Sequence, residues 1–115
     1  MSIKQFDIWI ADLSPQIGTE SGKKRPVVVI QTDLLNEISH PSTIVCPVTT
    51  RVKKESEVLR VHLKKGMAQL TRDSDIMIDQ IWAVDNRRLV KKLGSLPQNV
   101  KTRLKENISI VLDLE

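Results

Sequence analysis

The chain has very little aromatic surface. Of its 115 residues only Phe6, Trp9 and Trp82 carry large rings, and tyrosine is absent. A multi-ring stacking platform for single strands is therefore disfavoured, so any nucleic-acid binding must lean on charge and hydrogen bonds. Cys46 is the one cysteine. No disulfide framework can form within the chain, which favours a reducing compartment. Its place in an apolar stretch reads as a buried, inert thiol. No run approaches the ~20 apolar residues of a membrane span. The opening "MSIKQFDIWIADL" has an acid inside its apolar part and so does not read as a signal peptide. A cytoplasmic protein without membrane contact is expected.

Chemistry-bearing motifs are missing too. The two histidines, His40 and His62, lie far apart in different contexts. No Cys/His spacing suits zinc. There is no Gly-rich phosphate loop and no G-x-S-x-G elbow. Asp73 and Asp75, in "RDSD", read as a turn rather than a metal site. Neither a metal nor a cofactor is expected.

What remains is an ordinary globular composition, 40% apolar and 28% charged. The length fits one domain, residues 1–115, large enough to bury a core. Eighteen Lys and Arg against fourteen Asp and Glu give a net charge of +4, which permits a polyanionic partner.

Strand signals dominate the first four-fifths of the chain. Phe6–Leu13 is rich in β-formers, and Ser14 and Pro15 end it. Residues 16–25 form a polar loop. Pro26–Gln31, "PVVVIQ", is nearly all apolar, so both faces should be covered, with proline at the first position. A connector spans Asn36–Ser42. Thr43–Thr50, "TIVCPVTT", is a third strand in which Pro47 implies a bulge or an edge position. After the charged loop Arg51–Ser56, Val58–Leu63 alternates, with Leu59, Val61 and Leu63 facing one way. Ile76–Val84 and Leu89–Leu96 read as further strands. From Pro97 the period changes: Val100, Leu104, Ile108, Val111 and Leu112 make one stripe of a helix. Such an order predicts a mainly β (α+β) fold, an antiparallel β-barrel or sheet with a C-terminal α-helix.

Two clusters stand out at strand edges. In "GTESGKKRPVVVIQ", Gly18–Gln31, three cations precede a buried strand. Arginine is planar, permanently charged and binds phosphate in bidentate fashion, so Arg25 on a fixed backbone becomes an aimed fork. An ion pair with Glu20 is the plainer alternative. The second cluster is Thr49–Thr50 beside Pro47, followed by Arg51, Lys53 and Lys54. If the two strands pair, both loops line one basic groove suited to a phosphate backbone.

"DIWIADLSPQIGTESGKKRPVVVIQ" resembles the N-terminal signature of the MazF/PemK toxin endoribonucleases. That signature runs D-L-[SD]-P, then G-[ST]-E, then R-P-[VA]-[LV]-V. Here it falls on Asp12–Pro15, Gly18–Glu20 and Arg25–Val29. "VCPVTT" is similar to the second block, and "DQI" (Asp79–Ile81) and "LGSL" (Leu93–Leu96) to later ones. Phe6 stands where a glycine is common, and Ser21 where a glutamine is.

The resemblance implies an SH3-like barrel that cuts single-stranded RNA, including mRNA, without a metal. It implies a toxin that inhibits translation and growth. The 2′-OH would attack the adjacent phosphate, leaving a 2′,3′-cyclic phosphate and a 5′-OH. Arg25 and Thr49 are the implied catalytic pair. Glu20, Lys23, Lys24, Thr50, Lys53 and Gln80 are expected to bind RNA. The implied partners are a second copy of the chain and a MazE-like antitoxin with an acidic, disordered tail. Two rivals remain at this stage. One is a CcdB-like gyrase poison, whose usual Trp-Gly-Ile end this chain lacks; the other is a barrel that binds RNA without cutting it.

Overall fold

The computed structural model describes residues 2–13 and 23–114. Among the described residues there are seven strands: β1 (Asp7–Asp12), β2 (Lys24–Val29), β3 (Ser42–Thr49), β4 (Arg60–Leu63), β5 (Ser74–Met77), β6 (Trp82–Asp85) and β7 (Leu89–Ser95). A one-turn helix α1 (Asp33–Asn36) follows β2, and helix α2 (Gln98–Val111) follows β7. The sheet runs β4-β5-β3-β2-β1-β7, with β6 added on β3. Every pairing is antiparallel. The sheet curls until its β7 edge meets the 3-10 turn Met67–Gln69 that follows β4. A Cβ built on Gly94 in β7 would stand 3.1 Å from the Ala68 Cα. The mainly antiparallel β fold with a C-terminal helix is thus the one the chain adopts.

Alternation along the strands produces two cores. Ile8, Val28, Cys46, Val61 and Ile76 point to one face, where Val100 and Leu104 of α2 close over them. Trp9, Ala11, Val27, Val29 and Val45 point to the other, with Val84 and Leu89. The Val27–Val29 run is apolar throughout because neighbouring residues serve different cores. In α2 the inward stripe is Val100, Leu104 and the half-buried Ile108, while Leu112 at the stripe's end is exposed.

Four expectations need correction. β2 begins at Lys24, so Arg25 lies within a strand, opposite Ala11 of β1, and Pro26 is the third strand residue. Proline is tolerated because the β3 ladder starts only at Val27, which leaves Pro26 paired on one side. Pro47 is neither at an edge nor in a bulge. It pairs with Val27 and sits where β3 changes neighbours, from β6 over Ser42–Val45 to β5 at Val48–Thr49. Missing one donor in that gap breaks no ladder bond. Ile76–Val84 is not one strand: residues 78–81 turn the chain between β5 and β6, which pair with opposite ends of β3. The connector after β2 starts as helix α1, capped by the Thr32 hydroxyl, which accepts from the Leu34 N–H at 3.3 Å.

The departure at Phe6 also has a physical basis. Its φ of 70° is a backbone state that favours glycine. Phe6 holds that state with a buried ring, beneath the Lys105 and Lys101 ammonium groups at 5.5 and 5.9 Å. Its N–H donates to the Val29 carbonyl at 2.7 Å, tying the segment before β1 to the end of β2.

Candidate functional site

A groove of about 740 Å³ opens where β2 begins and β3 ends. Its walls include Arg25, Thr49, Lys53, Arg60 and Met77. The β2–β3 ladder explains the meeting of Arg25 and Thr49. Val27 faces Pro47 in that ladder. Carried two residues further, the same register sets Arg25 against Thr49. Paired residues across antiparallel strands project to the same face, so both side chains point into the groove.

Arg25 is half-buried, and its side chain forms no hydrogen bond or ion pair with any described residue. Among the described residues, none takes up a guanidinium donor, and the group lines the cavity. The Thr49 hydroxyl oxygen accepts the Arg51 N–H at 3.1 Å. That bond orients the side chain and leaves its single proton to donate elsewhere. Lys23, Lys24 and Thr50 line the same cavity, as do Arg51 and Lys53. Every charged side chain among the described lining residues is a cation. Such a surface attracts a polyanion and contains a fork suited to a phosphate's non-bridging oxygens.

Arg25, Thr49, Thr50, Lys23, Lys24 and Lys53 converge here, whereas Gln80 and Lys54 do not. Glu20 lies outside the described residues. Gln80 sits on the exposed turn between β5 and β6 and is not among the groove's lining residues. Lys54 is exposed on the loop after β3, also outside the lining.

Sequence reasoning missed Asp75. Its neighbour Asp73 behaves as expected of a turn residue, accepting the Lys65 N–H at 2.8 Å. Asp75 instead belongs to β5 and is fully buried, facing Thr49 on one side and His62 on the other. Its carboxylate accepts the Lys53 N–H at 2.8 Å and an Arg60 N–H at 3.2 Å, and it meets His62 Nδ1 at 2.6 Å. Arg60 donates as well to the Arg51 carbonyl at 3.0 Å. One buried acid therefore holds the loop that follows Thr49 and an arginine of the groove wall. A signal existed: Arg60 and His62 form the polar face of the alternating stretch "VLRVHL", and cations on a half-buried strand need an acid on its neighbour.

Cys46 is buried in the first core. Burial, with a smaller effect of the Asp79 charge, pushes its thiol up to about 12. It takes no part in the groove.

Comparison with known proteins sets this geometry in context. A family model described as "PemK-like, MazF-like toxin of type II toxin-antitoxin system" matches residues 4–112. The Bacillus subtilis protein Endoribonuclease EndoA is 36% identical over 114 residues, which cover 99% of this chain and 97% of that one. Among solved structures, a MazE-MazF structure from Deinococcus radiodurans aligns with a TM-score of 0.81 at 21% identity, covering 100% of this chain and 99% of that one. A Mycobacterium tuberculosis toxin, MazF-mt6, aligns with a TM-score of 0.77 at 23% identity, covering 95% and 98%. At those identities the structural matches establish a shared fold.

Proposed function

The chain belongs to the PemK-like, MazF-like toxin family of type II toxin-antitoxin systems, a family of endoribonucleases, and from that premise we propose how it cuts RNA. The substrate is single-stranded RNA, and the reaction is an internal transfer at phosphorus. The ribose 2′-oxygen bonds to the adjacent phosphorus, the P–O5′ bond breaks, and a 2′,3′-cyclic phosphate and a 5′-OH result. A proton leaves the 2′-OH, and one is delivered to the departing 5′-oxygen. No metal is required where a permanent cation meets the charge that builds on the phosphoryl oxygens. Arg25 supplies that cation. The Thr49 hydroxyl donates to the same phosphate and helps align the attack.

One observation carries this reading. An arginine without a partner among the described residues, and a threonine with a spare proton, line one cavity whose described charged walls are all cationic. Lys23, Lys24 and Lys53 draw the RNA backbone in. Thr50 contacts the strand beside the scissile phosphate, and Gln80, outside the groove's lining, contacts a base that leaves the groove. Arginine is a very poor base, so an assist from Glu20 in the proton transfer is part of the proposal. Glu20→Gln should therefore shift the acid limb of the pH–rate profile; an unchanged profile removes Glu20 from proton transfer.

A MazE-like antitoxin would use the same cations. Its acidic tail would lie in the groove and order on binding. We also propose that the protein works in the cytoplasm as a homodimer. The exposed apolar side chains Leu34, Ile38 and Ile110 are candidates for contact with the second copy. The direct test is incubation with a long RNA in EDTA, followed by end-group analysis, beside Arg25→Ala. Fragments with 5′-OH ends from the wild type alone are expected. Equal cutting by both proteins would refute the assignment. RNA binding without cutting, or gyrase poisoning without cutting, would favour one of the two rival readings.

A further inference from the structure

The Arg60 guanidinium is held at one end only. Both Nη1 protons are engaged, one by Asp75 Oδ2 at 3.2 Å and one by the Arg51 carbonyl at 3.0 Å. Nε and Nη2 form no hydrogen bond with any described residue. Neither is among the described side-chain atoms sealed from solvent without a partner. The side chain is nevertheless 13% exposed, so little of it reaches open water. Arg60 instead borders two cavities: the Arg25–Thr49 groove and an adjoining one of about 290 Å³ beyond it.

An arginine anchored through Nη1 presents its Nε–Nη2 edge, two roughly parallel N–H vectors, in the geometry that takes a phosphate in bidentate fashion. Its rigidity matters as much as its charge. A surface arginine loses rotamer freedom when it binds, whereas Arg60 has already lost it to a buried acid. The row across the sheet sets the direction. Thr49 pairs with Asp75, and Asp75 pairs with His62 on β4. Arg60 stands two residues before His62, on the same face. The groove is therefore continued from the Arg25–Thr49 end onto β4 by a second guanidinium, this one held in place through Nη1.

We propose that Arg60 is a second phosphate-binding arginine, which holds an RNA phosphate neighbouring the scissile one, and that Asp75 is its positioning residue. This rests on the reading of the groove as an RNA-cutting site. The RNA strand passes from Arg25 over Arg60 toward the adjoining cavity, where His62, Asn99 and Arg103 lie. Glu57, paired with Arg103 at 3.6 Å, also lines that cavity and offsets the Arg103 charge there. The bound phosphate thus belongs at Arg60 rather than deeper in.

The test uses the full-length protein and a short RNA around a cleavage site mapped on the long RNA. Its backbone phosphates are replaced one at a time by uncharged methylphosphonates. Binding is read on versions with a 2′-deoxy sugar at the cut position, which cannot react. Wild type should lose on the order of tenfold in affinity at one phosphate beside the scissile one. Arg60→Gln should be insensitive to that replacement. It should raise KM with little change in kcat, and flatten the dependence of log affinity on log salt by just under one unit. Asp75→Asn should show part of the same loss, and Arg60→Lys should restore part of the affinity lost in Arg60→Gln. Thermal melts identify any variant that does not fold, and Arg60→Lys then carries the comparison. If Arg60→Gln cuts and responds to every replacement as wild type does, the inference falls while the reading of the groove stands. If wild type cuts no RNA, both fall.

Discussion

At Arg25 the strand fixes where the guanidinium starts, and no described residue fixes where it ends. Thr49 is the complement: a short side chain, already oriented by the Arg51 N–H, with one proton to give. Arg25 stood out in the sequence because a cation run precedes "PVVVIQ", but the role proposed for it came from the resemblance to the MazF/PemK signature. Thr49 was not legible alone, since threonine is a routine strand residue; only its pairing with the Arg25 side of β2 gives it meaning. Asp75 was read wrongly because "RDSD" scans as a turn, and burial is a property of the folded sheet. Asp75→Ala should destabilise the protein by about 3–5 kcal/mol, since it leaves Arg60 in a mostly buried setting without its counter-charge. Chemical denaturation measures this; a loss within ~0.5 kcal/mol would mean that the pair adds nothing. Cys46 gives a pH prediction. Its thiol titrates near 9 when unfolded and at about 12 when folded. The native state thus keeps a proton that the unfolded state loses between those values. Its contribution to stability is complete below pH 9 and declines as pH rises toward 12. Iodoacetamide at pH 8 should leave the native thiol unmodified and label it in denaturant; rapid native labelling would contradict its burial.

The elements themselves followed period and propensity closely where one face meets a core. β4 and α2 are the clearest cases, with Val61 and Leu63, and then Val100 and Leu104, buried as expected, although β4 starts only at Arg60 and Leu59, expected on the same face, is exposed. Boundaries failed where partners change. Nothing in "IMIDQIWAV" announces that its halves pair with opposite ends of β3, because that division comes from the curl of the sheet. The same curl sets a prediction at β7. Gly94 leaves little room for a side chain: an added Cβ would lie 3.1 Å from Ala68 Cα and 3.2 Å from Ala68 Cβ, so Ala68 would have to give way by a few tenths of an ångström. The contact is with backbone, which cannot swing aside as a long side chain can. Gly94→Val should therefore lower the melting temperature by several degrees, through a loss of about 1–3 kcal/mol. An unchanged melt would show that β7 can move off the 3-10 turn at no cost. Leu104→Ala, by contrast, should cost about 2–5 kcal/mol by opening a cavity under α2.

Over the whole molecule, a net charge of +4 understates the field at the groove, where six cations gather: Lys23, Lys24, Arg25, Arg51, Lys53 and Arg60. If all six neutralise phosphates, log affinity for single-stranded RNA should fall against log salt with a slope near −4, about two orders of magnitude between ~50 and ~200 mM. A flat response would detach the lysine loops from binding. The central claim is that Arg25 and Thr49 act on one phosphate. The most direct measurement is the single-turnover cleavage rate, in EDTA, of Arg25→Ala, Thr49→Val and the double variant on one RNA. Arg25→Ala should slow cleavage by about 10²–10³, as for loss of a donor to a developing oxyanion. The double variant should fall well short of the product of the two single effects, as groups acting as a unit do. Single variants that cut at the wild-type rate, or effects that multiply as if the sites were independent, would contradict it.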